Sequence, residues 1–283
     1  MHEETTGLEA LAAMEYPGRI ILIGMTSEGH DVLVYGITGR SASSRARRLV
    51  CDTTNTHEDI IKVDVTDRAI LAQGNKALLL YDCIRRYDNS FVVSNGAQTD
   101  VLAAELKLAR IRHDTINPMD VLSEAFREPR LIAGIDVSCY EPDDPTYTPR
   151  ISGVLVHPEA ALCMIKRGDH EPSQEDDAPA SKWFFEFPLR KGVGRAFTTY
   201  TGQNVPHGKP IPSFSGEPLY LQIHGSTAEQ IARDVYNALG PKSFGMAPGE
   251  DFRVGVVAYV LANDSPSPYN VARHIINSGD GRQ

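Results

Sequence analysis

The apolar residues of this chain come in short runs separated by polar turns, and this pattern constrains the fold more than any other feature. Residues 19–24 read RIILIG and residues 31–38 read DVLVYGIT, with the polar stretch TSEGH between them. Two runs of strand length joined by a short polar stretch predict a β-hairpin. Further strand-like runs occupy residues 77–84, 90–94, 151–156, 161–165, 183–187, 196–200, 219–223 and 252–261.

Four other segments are predicted to be helices, namely residues 100–109, 119–126, 227–239 and 269–277. In the first two the apolar side chains recur at helical intervals, and Asn117 and Pro118 signal the start of the second. Ser226 is expected to cap the third. Strands in runs and helices in pairs predict an α+β fold with stacked sheets, not alternating βαβ units.

One domain is expected over residues 16–283, after an N-terminal extension over residues 1–15. A chain of 283 residues with 41% hydrophobic residues can bury a core without disulfides or metals. Residues 168–181 read GDHEPSQEDDAPAS and contain no apolar cluster. This acidic stretch is predicted to be an inserted surface loop.

Charge and hydropathy exclude several classes of partner. The formal net charge of −9 argues against general nucleic-acid binding. No apolar run approaches the ~18 residues of a membrane span. The first residues lack the basic start and apolar core of a signal peptide. We therefore expect a cytoplasmic protein with no nucleic-acid or membrane partner, and a homo-oligomer is left open.

Neither the cysteines nor the histidines have the spacing of a metal site or of a redox motif. The four cysteines form no CxxC pair and stand in or beside apolar stretches, which predicts reduced, buried thiols, with a catalytic thiol as the alternative. They are Cys51, Cys83, Cys139 and Cys163. The nine histidines include no HxxxH or HExxH pattern. We therefore expect no metal and no cofactor.

Five short motifs combine hydrogen-bonding side chains with Gly or Pro, the residues that fix unusual backbone geometry. The fork-shaped guanidinium of Arg and the short Ser side chain suit a phosphate, while amide and hydroxyl groups suit a carboxamide or a ribose. The set predicts a site for a polyanionic, hydroxyl-rich ligand. The motifs are GRSASSRARR at 39–48, SNGAQTD at 94–100, YTPRISG at 147–153, TTYTG at 198–202 and IPSFSGEP at 211–218.

These motifs also have purely structural explanations. Residues 40–48 are alternatively a solvated basic loop, and residues 94–100 a strand-to-helix turn with Thr99 or Asp100 as the cap. A buried Arg150 needs an anionic partner and is alternatively half of a salt bridge that braces its loop. The carboxylates just upstream of it are Glu141, Asp143 and Asp144. A tyrosine at a strand end, such as Tyr200, is alternatively a core residue.

Seven short motifs, taken in order, resemble the archaeal-type IMP cyclohydrolase family, and the bacterial IMP cyclohydrolase-like branch is the closer match. They are YPGR at 16–19, GRSxxSR at 39–45, YD at 81–82, SNGxQTD at 94–100, TPRISG at 148–153, TTY at 198–200 and PSFxGEP at 212–218. The resemblance implies a four-layer αββα sandwich similar to the N-terminal-nucleophile hydrolases. It also implies closure of the purine ring of FAICAR, which gives IMP and water without a metal.

The same resemblance implies a nucleotide site in which Arg40, Tyr81 and Tyr200 are catalytic. Arg40 is expected to hold the phosphate or the carboxamide with Ser41 and Arg45, and Asn95 to orient the base. Tyr200 or Tyr81 is expected to give a proton or hydrogen bond to the formyl oxygen. The expected substrate-binding residues are Ser41, Ser44, Arg45, Asn95, Gly96, Gln98, Thr99, Arg150, Ser213 and Glu217.

Two other functions remain compatible with these residues. One is a purine-nucleotide binding protein without catalysis on the same scaffold. The other is an amide or formamide hydrolase, which needs an exposed Cys, Ser or Thr at a processed N-terminus. The residue at the start of the first strand region is Tyr16, which disfavours that chemistry.

Overall fold

The structure is a computed structural model that describes residues 7–53, 57–67, 69, 76–112, 115–168, 178–206, 209–244, 247–262 and 270–280. The helices in these residues are α1 (Glu9–Ala12), α2 (Ala42–Arg45), α3 (Lys76–Leu79), α4 (Gln98–Arg112), α5 (Pro118–Ala125) and α6 (Ala228–Ala238). The strands are β1 (Arg19–Met25), β2 (Asp31–Thr38), β3 (Arg47–Thr53), β4 (Glu58–Val65), β5 (Tyr81–Tyr87), β6 (Ser90–Ser94), β7 (Leu131–Ile132), β8 (Ile135–Asp136), β9 (Arg150–Val156), β10 (Glu159–Arg167), β11 (Ala180–Pro188), β12 (Val193–Thr198), β13 (Leu219–Gln222), β14 (Ser243–Phe244), β15 (Ala247–Pro248), β16 (Arg253–Leu261) and β17 (Val271–Asn277).

Two large antiparallel sheets form the centre of the protein. The six-stranded sheet has the order β13-β12-β1-β2-β16-β17, and the seven-stranded sheet has the order β11-β10-β9-β6-β5-β4-β3. Side chains from both sheets, including Tyr35, Phe91 and Phe197, form one buried cluster. The two sheets therefore pack face to face around a shared core.

Helices cover the outer face of each sheet. On the six-stranded sheet, α6 buries Ile231 and Val235 in a cluster with strand residues such as Leu22. On the seven-stranded sheet, α4 and α5 bury Leu106 and Leu122. The layers therefore run helix, sheet, sheet, helix. This explains why β1 and β2 are buried at every residue, since both faces of these strands are covered.

Most of the predicted elements are confirmed. The α+β class, the hairpin of β1 and β2, the strands from β9 to β13 and the strand β16 are present. The pair α4 and α5 follows the predicted helical hairpin, with Asn117 as the cap of α5. The helix α6 is present, but its cap is Thr227, not Ser226, because the Thr227 side chain and Gln230 form a reciprocal capping box.

Other predictions of local structure are wrong. The predicted helix at 269–277 is the strand β17, because its backbone pairs with β16 from Val271 to Asn277; residue 269 lies outside the described residues. The predicted strand at 77–84 begins as α3, and β5 starts only at Tyr81. The predicted loop at 40–48 contains α2 and the start of β3.

The predicted acidic loop and N-terminal extension are described only in part. Residues 169–177 of the loop and residues 1–6 of the extension lie outside the described residues. Ala180 and Ser181, which were included in the loop prediction, belong to β11. Leu11 of α1 is buried in the same cluster as α6, so this part of the extension packs against the domain. The domain boundaries stay a prediction.

The four cysteines are free, as expected, but Cys51 and Cys139 are only partly buried. Cys83 and Cys163 are buried, and burial raises the pKa of both thiols, which disfavours the reactive thiolate. Among the helices of the described residues, none is both long and apolar enough to cross a membrane.

Replacing Leu106 with alanine tests the packing of the outer helical layer. Leu106 is fully buried on α4, so Leu106→Ala is expected to lower the free energy of unfolding by about 2–5 kcal/mol. Leu108→Ala is the matched control on the same helix, because Leu108 is 38% exposed, and its effect should stay below about 1 kcal/mol. Urea unfolding of both variants measures the difference. Equal losses in the two variants would contradict this packing.

Candidate functional site

A cavity of about 320 Å³ lies where the ends of strands from both sheets meet. Arg19 reaches it from β1 of the six-stranded sheet, and Arg47 reaches it from β3 of the seven-stranded sheet. We refer to it as the arginine cavity. Its lining residues are Tyr16, Arg19, Arg40, Ser41, Ser43, Ser44, Arg47, Leu78, Leu79, Glu141, Asp143, Thr146, Thr148, Tyr200 and Ile211.

Two buried guanidinium groups give this cavity its electrostatic character. Arg47 is 3% exposed, and its Nε donates to the Ser44 carbonyl at 2.9 Å. The Nη1 of Arg47 and the Nε of Arg19 have no hydrogen-bond partner within the described structure. Burial, and then the nearby charge of Arg19, lowers the pKa of Arg47. Two like charges held close together in a buried place favour an anion between them.

The GRSASSRARR motif divides its arginines between the cavity and the surface. Arg40 lines the cavity, and its Nη1 donates to the Val205 carbonyl at 2.6 Å. Arg45 points away, since it forms an ion pair with Glu250 and its guanidinium lies 5.4 Å from the Phe252 ring centre. The short helix α2 between them produces this divergence.

The start of this motif depends on a close backbone approach. Ser41 is the N-cap of α2 and accepts from the Ser44 backbone N–H at 3.2 Å. A Cβ on Gly39 would lie 2.6 Å from the Ser44 backbone, so only glycine fits there. Ser41, Ser43 and Ser44 all line the cavity, and the Ser41 hydroxyl contacts the hydroxyls of Ser43 and Ser44.

Glu141 is a buried carboxylate at the edge of the arginine cavity. Its oxygens lie 3.9 Å from a guanidinium nitrogen of Arg19 and 3.9 Å from one of Arg150. Burial raises the pKa of Glu141, and the two arginines oppose that shift. The predicted acidic partner of Arg150 is therefore present, and the same carboxylate also faces Arg19.

Arg150 does not line the arginine cavity. It is 2% exposed, its Nε donates to the Cys139 carbonyl at 2.7 Å, and its Nη1 donates to Gln98 Oε1 at 3.0 Å. With Tyr81 it lines a neighbouring cavity of about 250 Å³ that shares only Leu78 with the first. Arg150 thus pairs with Glu141, a carboxylate of the arginine cavity, without lining that cavity itself.

The side chains of the SNGAQTD motif form hydrogen bonds within the protein. Asn95 donates to the Pro149 carbonyl at 2.9 Å and accepts from the Ile151 N–H at 2.8 Å and from Gln98 at 3.0 Å. Gln98 in turn accepts from Arg150. A Cβ on Gly96 would lie 2.8 Å from the Arg150 guanidinium, so this glycine allows the close contact. These residues hold Arg150 and do not line the arginine cavity.

Thr99 is likewise engaged away from the cavity. Its hydroxyl donates to the Gly96 carbonyl at 3.1 Å and contacts the Ser94 hydroxyl. The helix α4 begins at Gln98, so Thr99 and Asp100 belong to its first turn and neither is the cap.

Tyr200 is a buried residue in the lining of the arginine cavity. The ring stacks on Tyr16 with 5.6 Å between centres, and its hydroxyl oxygen lies 2.8 Å from Thr148 Oγ1. Thr148 Oγ1 donates to Asp143 Oδ2 at 2.5 Å. Burial raises the pKa of Tyr200, so its hydroxyl stays protonated at neutral pH.

A glycine sets the position of this tyrosine. Gly18 has φ +79, a left-handed conformation that favours glycine, and a Cβ there would lie 2.7 Å from the Tyr200 ring. The YPGR segment can therefore pass directly over Tyr200.

Tyr81 lines the neighbouring cavity, and its hydroxyl oxygen lies 2.8 Å from that of the fully buried Tyr35. Both tyrosines also lie close enough to Arg19 and Arg47 to affect the pKa of these two guanidinium groups of the arginine cavity.

The structure brings together only some of the predicted site residues. Arg40, Ser41, Ser44 and Tyr200 line the arginine cavity. Ser213 pairs with Tyr200 through the backbone, and Glu217 is an exposed loop residue, so neither side chain lines it. The predicted site residues that lie outside its lining are Arg45, Tyr81, Asn95, Gly96, Gln98, Thr99, Arg150, Ser213 and Glu217.

Several lining residues were not assigned from sequence. Arg19 stands in the YPGR motif and Arg47 in the basic segment, but only their burial distinguishes them from neighbouring arginines. Thr148 stands in the TPRISG motif. No group of three or more His, Cys, Asp or Glu residues that could hold a metal ion is present in the described parts of the chain.

Substitution of two neighbouring arginines, Arg47 and Arg48, tests whether the arginine cavity binds phosphate. Arg47→Met is expected to weaken binding of IMP, the product implied by the resemblance, roughly 10- to 150-fold, because charge-assisted hydrogen bonds are lost. Arg48→Met is the control, since Arg48 is exposed and pairs with Asp64 at 3.1 Å. Isothermal titration calorimetry gives both affinities. Equal effects of the two substitutions would exclude Arg47 as a phosphate ligand.

Comparison with known proteins yields relatives that share one name. The chain is 25% identical over 222 residues to the IMP cyclohydrolase of Methanocaldococcus jannaschii, covering 78% of this chain and 86% of the relative. It is 25% identical over 220 residues to the IMP cyclohydrolase of Methanococcus aeolicus, covering 78% and 87%. The match to the IMP cyclohydrolase of Methanopyrus kandleri is 32% identical over 92 residues, covering 32% and 42%.

The family comparison covers the part of the chain that builds the arginine cavity. Residues 16–244 match the profile of the family described as IMP cyclohydrolase-like protein. This match includes most of the chain and all the lining residues of the cavity. The chain therefore belongs to the IMP cyclohydrolase-like protein family.

Proposed function

We propose that this protein is an IMP cyclohydrolase that closes the ring of FAICAR to give IMP and water. Membership of the family and the names of the relatives support this activity. The observation that carries it is the arginine cavity itself, which combines buried guanidinium groups with the hydroxyl of Tyr200. A phosphate-bearing substrate with a reacting carbonyl needs both kinds of group.

The distribution of charged side chains supports a position for the phosphate of the substrate. Among the described residues, no carboxylate lies within ion-pair distance of Arg40 or Arg47. Arg19 shares the single carboxylate of Glu141 with Arg150. A phosphate with about two negative charges therefore fits between Arg19 and Arg47, with Ser41 and Ser44 as additional donors. Arg40 donates one hydrogen bond to the Val205 carbonyl and has further N–H groups for the carboxamide or the ribose.

The reaction needs orientation more than a strong nucleophile. The carboxamide nitrogen must attack the formyl carbon of the same molecule, although its lone pair is delocalised. A site that holds both groups in contact lowers the barrier by up to about 7–11 kcal/mol. A hydrogen bond to the developing oxyanion contributes about 3–4 kcal/mol more. Neither contribution requires a covalent intermediate.

Tyr200 is the proposed group for proton transfer to the formyl oxygen. Tyr200 lines the arginine cavity, and its hydroxyl stays protonated because burial raises its pKa. Tyr81 forms a hydrogen bond with Tyr35 and lines the neighbouring cavity. It is proposed to hold the surrounding residues in place and not to contact the formyl group. Asn95, Gln98 and Arg150 are proposed to position Glu141 and the strand β9, not to contact the base.

The proposal extends to the domain, the layer order, the ligands and the location of the protein. We propose that residues 16–283 form one domain and that its layers follow the order of the N-terminal-nucleophile hydrolases, with helices outside two facing sheets. We also propose that FAICAR and IMP are its small-molecule partners and that it works in the cytoplasm, where purine nucleotides are made.

Ultraviolet absorbance during incubation with FAICAR tests the activity. We expect IMP to accumulate at the same rate with and without a chelator, because the proposed chemistry uses orientation and hydrogen bonds alone. Binding of IMP without turnover would instead favour a non-catalytic nucleotide-binding protein. A rate that falls with chelator would contradict the metal-free mechanism.

Removal of one hydroxyl tests the proposed proton carrier. Tyr200→Phe is expected to lower kcat about 100-fold or more, since general acid-base groups contribute about 10²–10⁴-fold, with little change in IMP affinity. Tyr220→Phe is the control, because Tyr220 is a tyrosine at the surface. Steady-state kinetics of both variants gives the comparison. A Tyr200→Phe variant that turns over FAICAR at the parent rate would exclude this role.

A further inference from the structure

Two further residues of the arginine cavity, Thr148 and Asp143, continue the hydrogen bond of Tyr200. Thr148 is buried, and its Oγ1 lies 2.8 Å from the Tyr200 hydroxyl and 2.5 Å from Asp143 Oδ2. The other oxygen of Asp143 accepts from the Thr148 backbone N–H at 2.6 Å. Tyr200, Thr148 and Asp143 all line the cavity.

The direction of these hydrogen bonds follows from counting protons. A threonine hydroxyl has one proton, and an ionised carboxylate has none. Thr148 gives its proton to Asp143, so it must accept the proton of Tyr200. The Tyr200 oxygen then has its lone pairs left to accept a hydrogen bond from a ligand in the cavity.

We propose that Thr148 and Asp143 are positioning residues for the cyclisation, forming with Tyr200 a relay that carries the carboxamide proton to the Asp143 carboxylate. This inference rests on the proposed function. Tyr200 cannot serve as a stored phenolate, because burial raises its pKa. It can accept one proton only while it gives up another, and the relay provides the acceptor.

The proposed proton steps balance. As the carboxamide nitrogen bonds to the formyl carbon, its proton moves to Tyr200, that of Tyr200 to Thr148, and that of Thr148 to Asp143. The former carbonyl electron pair moves onto the formyl oxygen. The relay then runs in reverse and returns a proton to that oxygen, which becomes a hydroxyl. The hydroxyl leaves with the proton of the formamido nitrogen as water, and a carbon–nitrogen double bond forms.

A structural role for Asp143 is the competing explanation. Its carboxylate closes the turn that leads to Thr148, so its loss could act only through the fold of that loop. The substitution Asp143→Asn preserves the shape and one acceptor oxygen, but an amide cannot take up the proton. Thr148→Val preserves volume and removes the hydroxyl, whereas Thr148→Ser keeps it.

The test compares kcat and KM for FAICAR, the Kd for IMP and the melting temperature of these variants. Thr148→Val and Asp143→Asn are each expected to lower kcat about 100-fold, with KM and Kd within about threefold. Thr148→Ser should restore kcat to within about fivefold of the parent. The double variant should be no more than about twofold slower than either single variant, since the residues act as one unit. Asp144→Asn, an exposed neighbour with the same change in charge, should behave as the parent.

Three results would overturn the relay. The first is a kcat of Thr148→Val equal to that of the parent. The second is an equal loss of kcat in Thr148→Ser and Thr148→Val. The third is a loss of kcat in the double variant that equals the product of the two single losses. Losses that appear in KM, Kd and melting temperature instead of kcat would assign Asp143 a structural role alone. A parent protein that does not cyclise FAICAR would overturn the proposed function itself, and the relay with it.

Discussion

A single buried carboxylate, Glu141, connects charges that come from both sheets. Arg19 projects from β1 of the six-stranded sheet, and Arg150 from the start of β9 in the seven-stranded sheet, and each lies 3.9 Å from Glu141. Buried charges are tolerated only when they are paired, so this carboxylate allows two guanidinium groups to stay in the interior. Arg47 and Arg40 have no such carboxylate among the described residues. The lining contains three arginines, Arg19, Arg40 and Arg47, and two carboxylates, Glu141 and Asp143. The cavity therefore keeps an excess of one positive charge where the two sheets meet, which suits a phosphate.

The strands β1 and β2 were predictable from sequence, whereas β3, β4 and β17 were not. The strands β1 and β2 are covered on both faces, so their apolar residues form continuous runs that stand out. The strand β17 lies at the edge of its sheet, and its mixture of apolar and basic residues resembles a helical pattern. Only its backbone pairing with β16 decides its conformation. The strand β3, at the edge of the other sheet, and its neighbour β4 were also missed. Only every second residue of β4 is buried, so this strand has no continuous apolar run.

The site was predictable as a set of motifs, but not as a set of contacts. Arg40, which the GRS motif indicated as a site residue, lines the arginine cavity. The choice between Arg45 and Arg47 depends on the direction of each side chain around α2, which the spacing of arginines does not reveal. Asn95 has the chemistry to bind a base, yet its hydrogen bonds go to Pro149 and Ile151, more than fifty residues away. Contacts of that range cannot be read from a local motif.

A crystal structure with bound IMP would test this arrangement most directly. We expect the phosphate to lie within about 3 Å of the guanidinium nitrogens of Arg19 and Arg47. We also expect the purine ring to lie beside Tyr200, with the carbon derived from the formyl group nearest to the hydroxyl. A nucleotide bound at the surface near Arg45 and Glu250, or a phosphate remote from both buried arginines, would contradict the proposed site.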